Sequence, residues 1–123
     1  MTEKTQVLGR VVQYDEPVWE PLELAVGEDL ASAFMWMFEV ETTDHRRFQA
    51  YKHIDTRQYL NIDDRGGAFD YAGVKNGRDR YDVVPLAEAI ECALASWERL
   101  GATPDELADA RAVIARARER GSP

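Results

Sequence analysis

Phe34-Met35-Trp36-Met37-Phe38-Glu39-Val40-Glu41 is the stretch on which the fold class turns. Phe34, Trp36, Phe38 and Val40 alternate with Met35, Met37, Glu39 and Glu41. Successive side chains of an extended chain point to opposite faces, so this period of two predicts a strand, buried on both faces at its start and on one at its end. Methionine surfaces adapt to many ligands, which invites a cofactor or partner groove here. That much apolar area is better explained as a core strand, with Met35 and Met37 as the residues a homodimer surface would use.

Upstream, two periods compete. Leu30, Ala33, Phe34 and Met37 also fit a helical stripe, so residues 28–36 are readable as helix or as strand. Residues 17–26 read as a short helix with Trp19, Leu22 and Val26 inward, stopped by Gly27, and residues 7–14 alternate well enough for a strand. Downstream, Thr43-Asp44-His45 reads as a turn and residues 47–53 as a returning strand. Residues 57–62 and 68–74 follow as further strands around the turn Asp63-Asp64-Arg65-Gly66-Gly67. Asn76-Gly77 supplies the two positive-φ residues that a type I′ hairpin needs, before a short strand at 80–83.

From Pro85 the period lengthens. Leu86, Ile90, Ala93, Leu94, Trp97 and Leu100 fall on one helical stripe, with Gly101 placed for a left-handed C-cap. Thr103-Pro104-Asp105-Glu106 then carries a capping box, and Arg116, Arg118 and Arg120 face the negative end of the second helix's dipole. The sequence thus predicts one α+β domain over residues 1–123. Its parts are an antiparallel meander of four or five strands, a short N-terminal helical segment and a C-terminal antiparallel two-helix hairpin.

At 123 residues, 45% hydrophobic and 10% aromatic, the chain suits a single globular domain. No apolar run is long enough to cross a bilayer, and the first residues lack the basic-then-apolar order of an export signal. A single cysteine, Cys92, has no internal disulfide partner, so a reducing, cytoplasmic location is expected. The excess of Arg over Lys points to a GC-rich bacterial genome. The net charge of −8 is uneven: no Lys or Arg stands between Arg10 and Arg46, a window that holds nine acids. Such a segment repels nucleic acid and anionic membranes and either solubilises the chain or meets a basic partner.

Searching for chemistry gives mostly exclusions. Two histidines and one cysteine lack the paired spacings of a metal site, so no metal and no cofactor is expected. The 63–67 turn matches neither a calcium loop nor a phosphate loop. Cys92 lies in a helical pattern beside Glu91 and close to Glu88 and reads as a small apolar residue rather than a nucleophile. No catalytic residue is assigned, and an enzyme is not the favoured reading. One constellation remains. If residues 51–59 stayed extended, Tyr51, His53, Asp55, Arg57 and Tyr59 would share one face of the sheet, and a hairpin turn at Asp55-Thr56 would bring His53 and Arg57 near one another across strands. A histidine beside a carboxylate can act as a base and an arginine can hold an anion. Tyr51, His53, Arg57 and Tyr59 are therefore the ligand-binding candidates, against the plainer reading of a solvent-facing cross-strand ladder. Two functions are expected from different classes. The first is an acidic protein-interaction or regulatory domain that docks a basic partner through Glu20, Glu23, Glu28 and Asp29. The second is a small-molecule-binding domain or enzyme using the face around His53 and Arg57.

Overall fold

Residues 5–12 and 16–121 are described by a computed structural model. Strand β1 (Gln6–Val12) is followed by helix α1 (Glu20–Ala31) and then by the meander β2 (Phe34–Thr42), β3 (Arg47–His53), β4 (Tyr59–Ile62), β5 (Ala68–Lys75) and β6 (Arg78–Val84). Helices α2 (Leu86–Leu94) and α3 (Pro104–Gly121) complete the chain order. The α+β class and the antiparallel sheet agree with the sequence. The expected count of four or five strands differs: six strands are present among the described residues, and they close into a barrel in the order β1 to β6.

Strand β1 makes the closure by dividing itself between two neighbours. Its first half pairs with β6, from Gln6↔Asp82 to Gly9↔Asp79. Its second half pairs with β2, from Gly9↔Thr42 to Val12↔Glu39. Gly9 belongs to both ladders. A Cβ there would stand 2.8 Å from Val40 Cγ1 and 2.9 Å from the Glu41 carbonyl oxygen, so only glycine lets the seam close this tightly.

The pleat then sorts the side chains into two cores. Val40, Phe48, Phe69 and Tyr81 fill the lumen, with Phe48 stacked on Phe69 at 4.3 Å and edge-on to Tyr81 at 4.9 Å. On the outer face, Phe34, Tyr51, Leu60, Ile62 and Ala68 pack under the helices against Leu22, Val26, Leu30, Ile90, Trp97 and Val113. The Phe34 stretch is thus a strand covered on both sides. One residue, Met37, bulges out of register between Trp36 and Phe38, which lets both aromatic rings be used on opposite faces. Met35 and Met37 are half-buried.

The competition over residues 28–36 resolves as helix up to Ala31 and strand from Phe34. Gly27, at φ 82°, kinks α1 at the place where the sequence predicts a stop. The Asn76-Gly77 turn has the positive φ pair, 53° and 77°, of a type I′ hairpin. The capping box forms: the Thr103 N–H donates to Glu106 Oε1 at 2.8 Å, and the Glu106 N–H donates to Thr103 Oγ1 at 3.1 Å.

Helix α2 is shorter than its stripe implies, ending at Leu94 rather than Leu100. The Thr56 hydroxyl donates to the Ala93 carbonyl at 2.6 Å, and Ser96 turns to φ 75°. These let Trp97 swing inward as part of a separate turn. That turn closes with the Ala102 N–H on the Trp97 carbonyl and the Gly101 N–H on the Glu98 carbonyl, the Schellman pattern, with Gly101 at φ 107°. Among the described residues no helix is long and apolar enough to cross a membrane.

Candidate functional site

The lumen is filled at one end and open at the other. Strands β4 and β5 pair only at Asn61↔Phe69 and Ile62↔Ala68, so Tyr59-Leu60 and Asp70-Tyr71 face each other across an unpaired slot. Just beyond it, β5 slips register between Tyr71 and Val74. These two departures from a regular ladder leave a pocket of about 410 Å³ that runs from the lumen to the surface.

Cross-strand pairing fixes what lines the pocket. Phe38, Asn61 and Tyr81 point inward to form its deep wall, and Val11, Tyr59, Tyr71 and Asp79 form the rim. Gln58, Asp70 and Cys92 border the slot. Val11, Tyr59 and Tyr71 are 44%, 42% and 52% exposed, an apolar and aromatic rim left in water although the same faces are buried elsewhere in the barrel. Asn61 is buried, and its side-chain amide donates to the Phe69 carbonyl at 3.1 Å. The Tyr71 hydroxyl reaches Asp79 Oδ1 at 3.4 Å. Burial, with Asp79 and Tyr71 nearby, pushes the Tyr81 phenol up to about 12, so it keeps its proton at neutral pH.

The candidates read from the sequence are divided by this geometry. Tyr59 pairs with Lys52 and points toward the lumen, onto the pocket rim. Tyr51 and His53 point the other way, under the helices, and are wholly buried. The Tyr51 hydroxyl donates to the Val18 carbonyl at 2.6 Å, and burial holds its phenol well above the ordinary value. His53 Nδ1 accepts the N–H groups of Asp55 and Thr56, both at 3.1 Å, which leaves the proton of the neutral ring on Nε2. Phe34 and Trp97 lie edge-on to the ring, at 5.1 Å and 4.6 Å.

The carboxylate of Asp55 accepts instead from Trp97 Nε1 at 2.9 Å, so it does not face the imidazole as a catalytic partner would. Arg57 is exposed in the turn at φ 64°. The premise of one extended, exposed face across residues 51–59 is corrected accordingly: the chain turns back at 54–58 and re-enters the sheet with opposite parity. Cys92 is exposed beside the slot and not part of the core.

The acidic window also divides. Glu39, Glu41 and Asp44 are engaged by cations on the barrel surface: Arg47 reaches Glu39 and Glu41 at 3.3 Å, Arg10 reaches Glu41 at 3.4 Å, and Arg46 reaches Asp44 at 2.9 Å. Glu20, Glu23, Glu28 and Asp29 are exposed on α1, beside Leu24, which is 59% exposed. Asp15 lies outside the described residues.

No family, no curated protein and no solved structure matches this chain.

A wider groove of about 830 Å³ lies between α1, the 63–66 turn and the ends of α2 and α3. Its lining mixes Asp63 and Asp64 with Arg65, Arg118 and Arg120, a combination that selects no single ligand chemistry. The barrel mouth is smaller and lined by aromatic rings, with a few polar groups beside them, as a small-molecule site requires. Sequence reading found Tyr59 but not Val11, Asn61, Tyr71, Asp79 or Tyr81. A signal was present: Tyr71 and Tyr81 share one face across the Asn76-Gly77 hairpin. Only barrel closure turns that face into an interior.

Proposed function

We propose that this chain is a non-covalent binding module that takes a small organic ligand in the open mouth of its barrel. The observation that carries this reading is the slot between β4 and β5, with an aromatic rim around a pocket of about 410 Å³. Closing the slot would only require the β4–β5 ladder to continue past Asn61↔Phe69, and its interruption leaves Tyr59 and Tyr71 in water. A bound ligand would cover those rings. Chemistry on the ligand is not part of the proposal.

The test is a ligand-observed magnetization-transfer screen of small aromatic and aliphatic compounds, on the parent protein and on Tyr71→Ala. Tyr71 is half-exposed, so its loss leaves the fold intact. Compounds that bind the parent should lose most of their signal on the variant, and at saturation they should slow alkylation of Cys92 by iodoacetamide. Hits that bind both proteins equally and leave Cys92 unprotected would overturn the proposal.

A second reading rests on α1. Its exposed Glu20, Glu23, Glu28 and Asp29 share the helix with the exposed apolar side chain of Leu24, a combination suited to a basic amphipathic segment of a partner protein. Charge attraction between exposed groups is largely screened at about 0.5 M salt. A partner held by this face is therefore lost at that salt, and lost at low salt on Glu23→Lys.

A further inference from the structure

The kind of ligand follows from the charge and the rings of the mouth, on the reading that the mouth is a binding site. Two carboxylates, Asp70 and Asp79, belong to the lining, and no Lys or Arg does among the described residues. Around them stand four aromatic rings, Phe38, Tyr59, Tyr71 and Tyr81. Ring faces carry negative potential and attract ammonium groups. The protein already uses one of these rings in that way: Lys52 Nζ stands 5.7 Å from the centroid of Tyr59. The rings are also arranged to show more than one orientation to the cavity. Phe38 tilts 38° to Tyr59 at 6.2 Å, and Tyr71 lies at 65° to Tyr81 at 5.4 Å. A guest therefore meets faces and edges on several sides.

We infer that the barrel mouth selects organic cations, with an ammonium group set among Tyr59, Tyr71 and Tyr81 and balanced by Asp79 and Asp70. Anions are disfavoured by the two carboxylates. Neutral guests gain the apolar contact but lose both the ring-face and the ionic attraction. The Asn61 side chain and the protonated Tyr81 hydroxyl, both in the lining, would orient a polar tail on the cation.

The experiment uses two probes of the same shape: choline, and its uncharged analogue in which carbon replaces the quaternary nitrogen. Each is titrated into nitrogen-labelled protein while amide resonances are followed. Choline should bind at least about tenfold more tightly than the analogue, with the largest shifts at Tyr59, Tyr71 and Asp79. Asp79→Asn keeps an oxygen for the Tyr71 hydroxyl, and together with Asp70→Asn it should abolish most of that preference while leaving the analogue's affinity unchanged.

Equal binding of the two probes at the mouth would overturn the cation inference and leave the pocket reading standing. A mouth that responds to neutral fragments but not to choline would do the same. If neither probe nor any fragment of the screen moves these resonances, the inference and the pocket reading fall together.

Discussion

His53 illustrates how one residue's role is set by what packs on it. Its ring is wholly buried between Phe34 and Trp97, and burial lowers its proton affinity below the ordinary value of 6.5, with Asp55 and Glu106 pulling weakly the other way. As pH falls, the unfolded chain takes up this proton before the folded one does. Stability is therefore intact above about pH 6.5 and declines below it, until the pH passes the lower, folded value. Urea midpoints of the parent should drop between about pH 7.5 and about pH 5.5, and His53→Gln, which cannot titrate, should show a smaller drop. An identical drop in both proteins would remove His53 from the account. The sequence marks His53 and Tyr59 as residues of interest, but it cannot place them on opposite faces. That parity is decided by the turn at 54–58, where Arg57 adopts a positive φ.

At the scale of elements, local chemistry was legible wherever the partners are close in sequence. The α3 capping box joins Thr103 and Glu106, and the type I′ turn needs only Asn76 and Gly77. Replacing Thr103 by Ala should cost about 1 kcal/mol. Adding Glu106→Ala should cost less than the sum of the two single changes, because both belong to one reciprocal pair. Chemical denaturation of the four proteins of that cycle checks it, and full additivity would contradict the paired cap. The end of α2 was not legible, since it is set by Thr56 donating to the Ala93 carbonyl across 37 positions. A stripe that runs on to Leu100 is consistent with one long helix, and only the tertiary contact shows why the chain breaks and Trp97 enters separately.

For the whole molecule, closure is the feature that creates the site. A strand's pattern shows which face is apolar but not which strand lies beside it. The bond from the Gln6 side chain to Asp82 spans 76 positions, and nothing local announces it. The sequence shows β1 only as a fair alternation over residues 7–14 and the sheet as a meander of four or five strands, so the lumen with its aromatic mouth went unseen. Gly9 gives the test of this seam. Gly9→Ala forces a methyl group against Val40 and the Glu41 carbonyl and should destabilise the protein by about 1–3 kcal/mol, read from the urea midpoint. A neutral effect would mean that β1 does not sit against β2 as closely as described.

The pocket claim is tested most directly by mapping amide shifts across the chain while the compounds found to bind are titrated in. Shifts centred on Val11, Tyr59, Asn61, Tyr71 and Asp79, with α1 and the 54–58 turn silent, are the expected result. Shifts centred on α1 or around His53, with the barrel mouth silent, would contradict it.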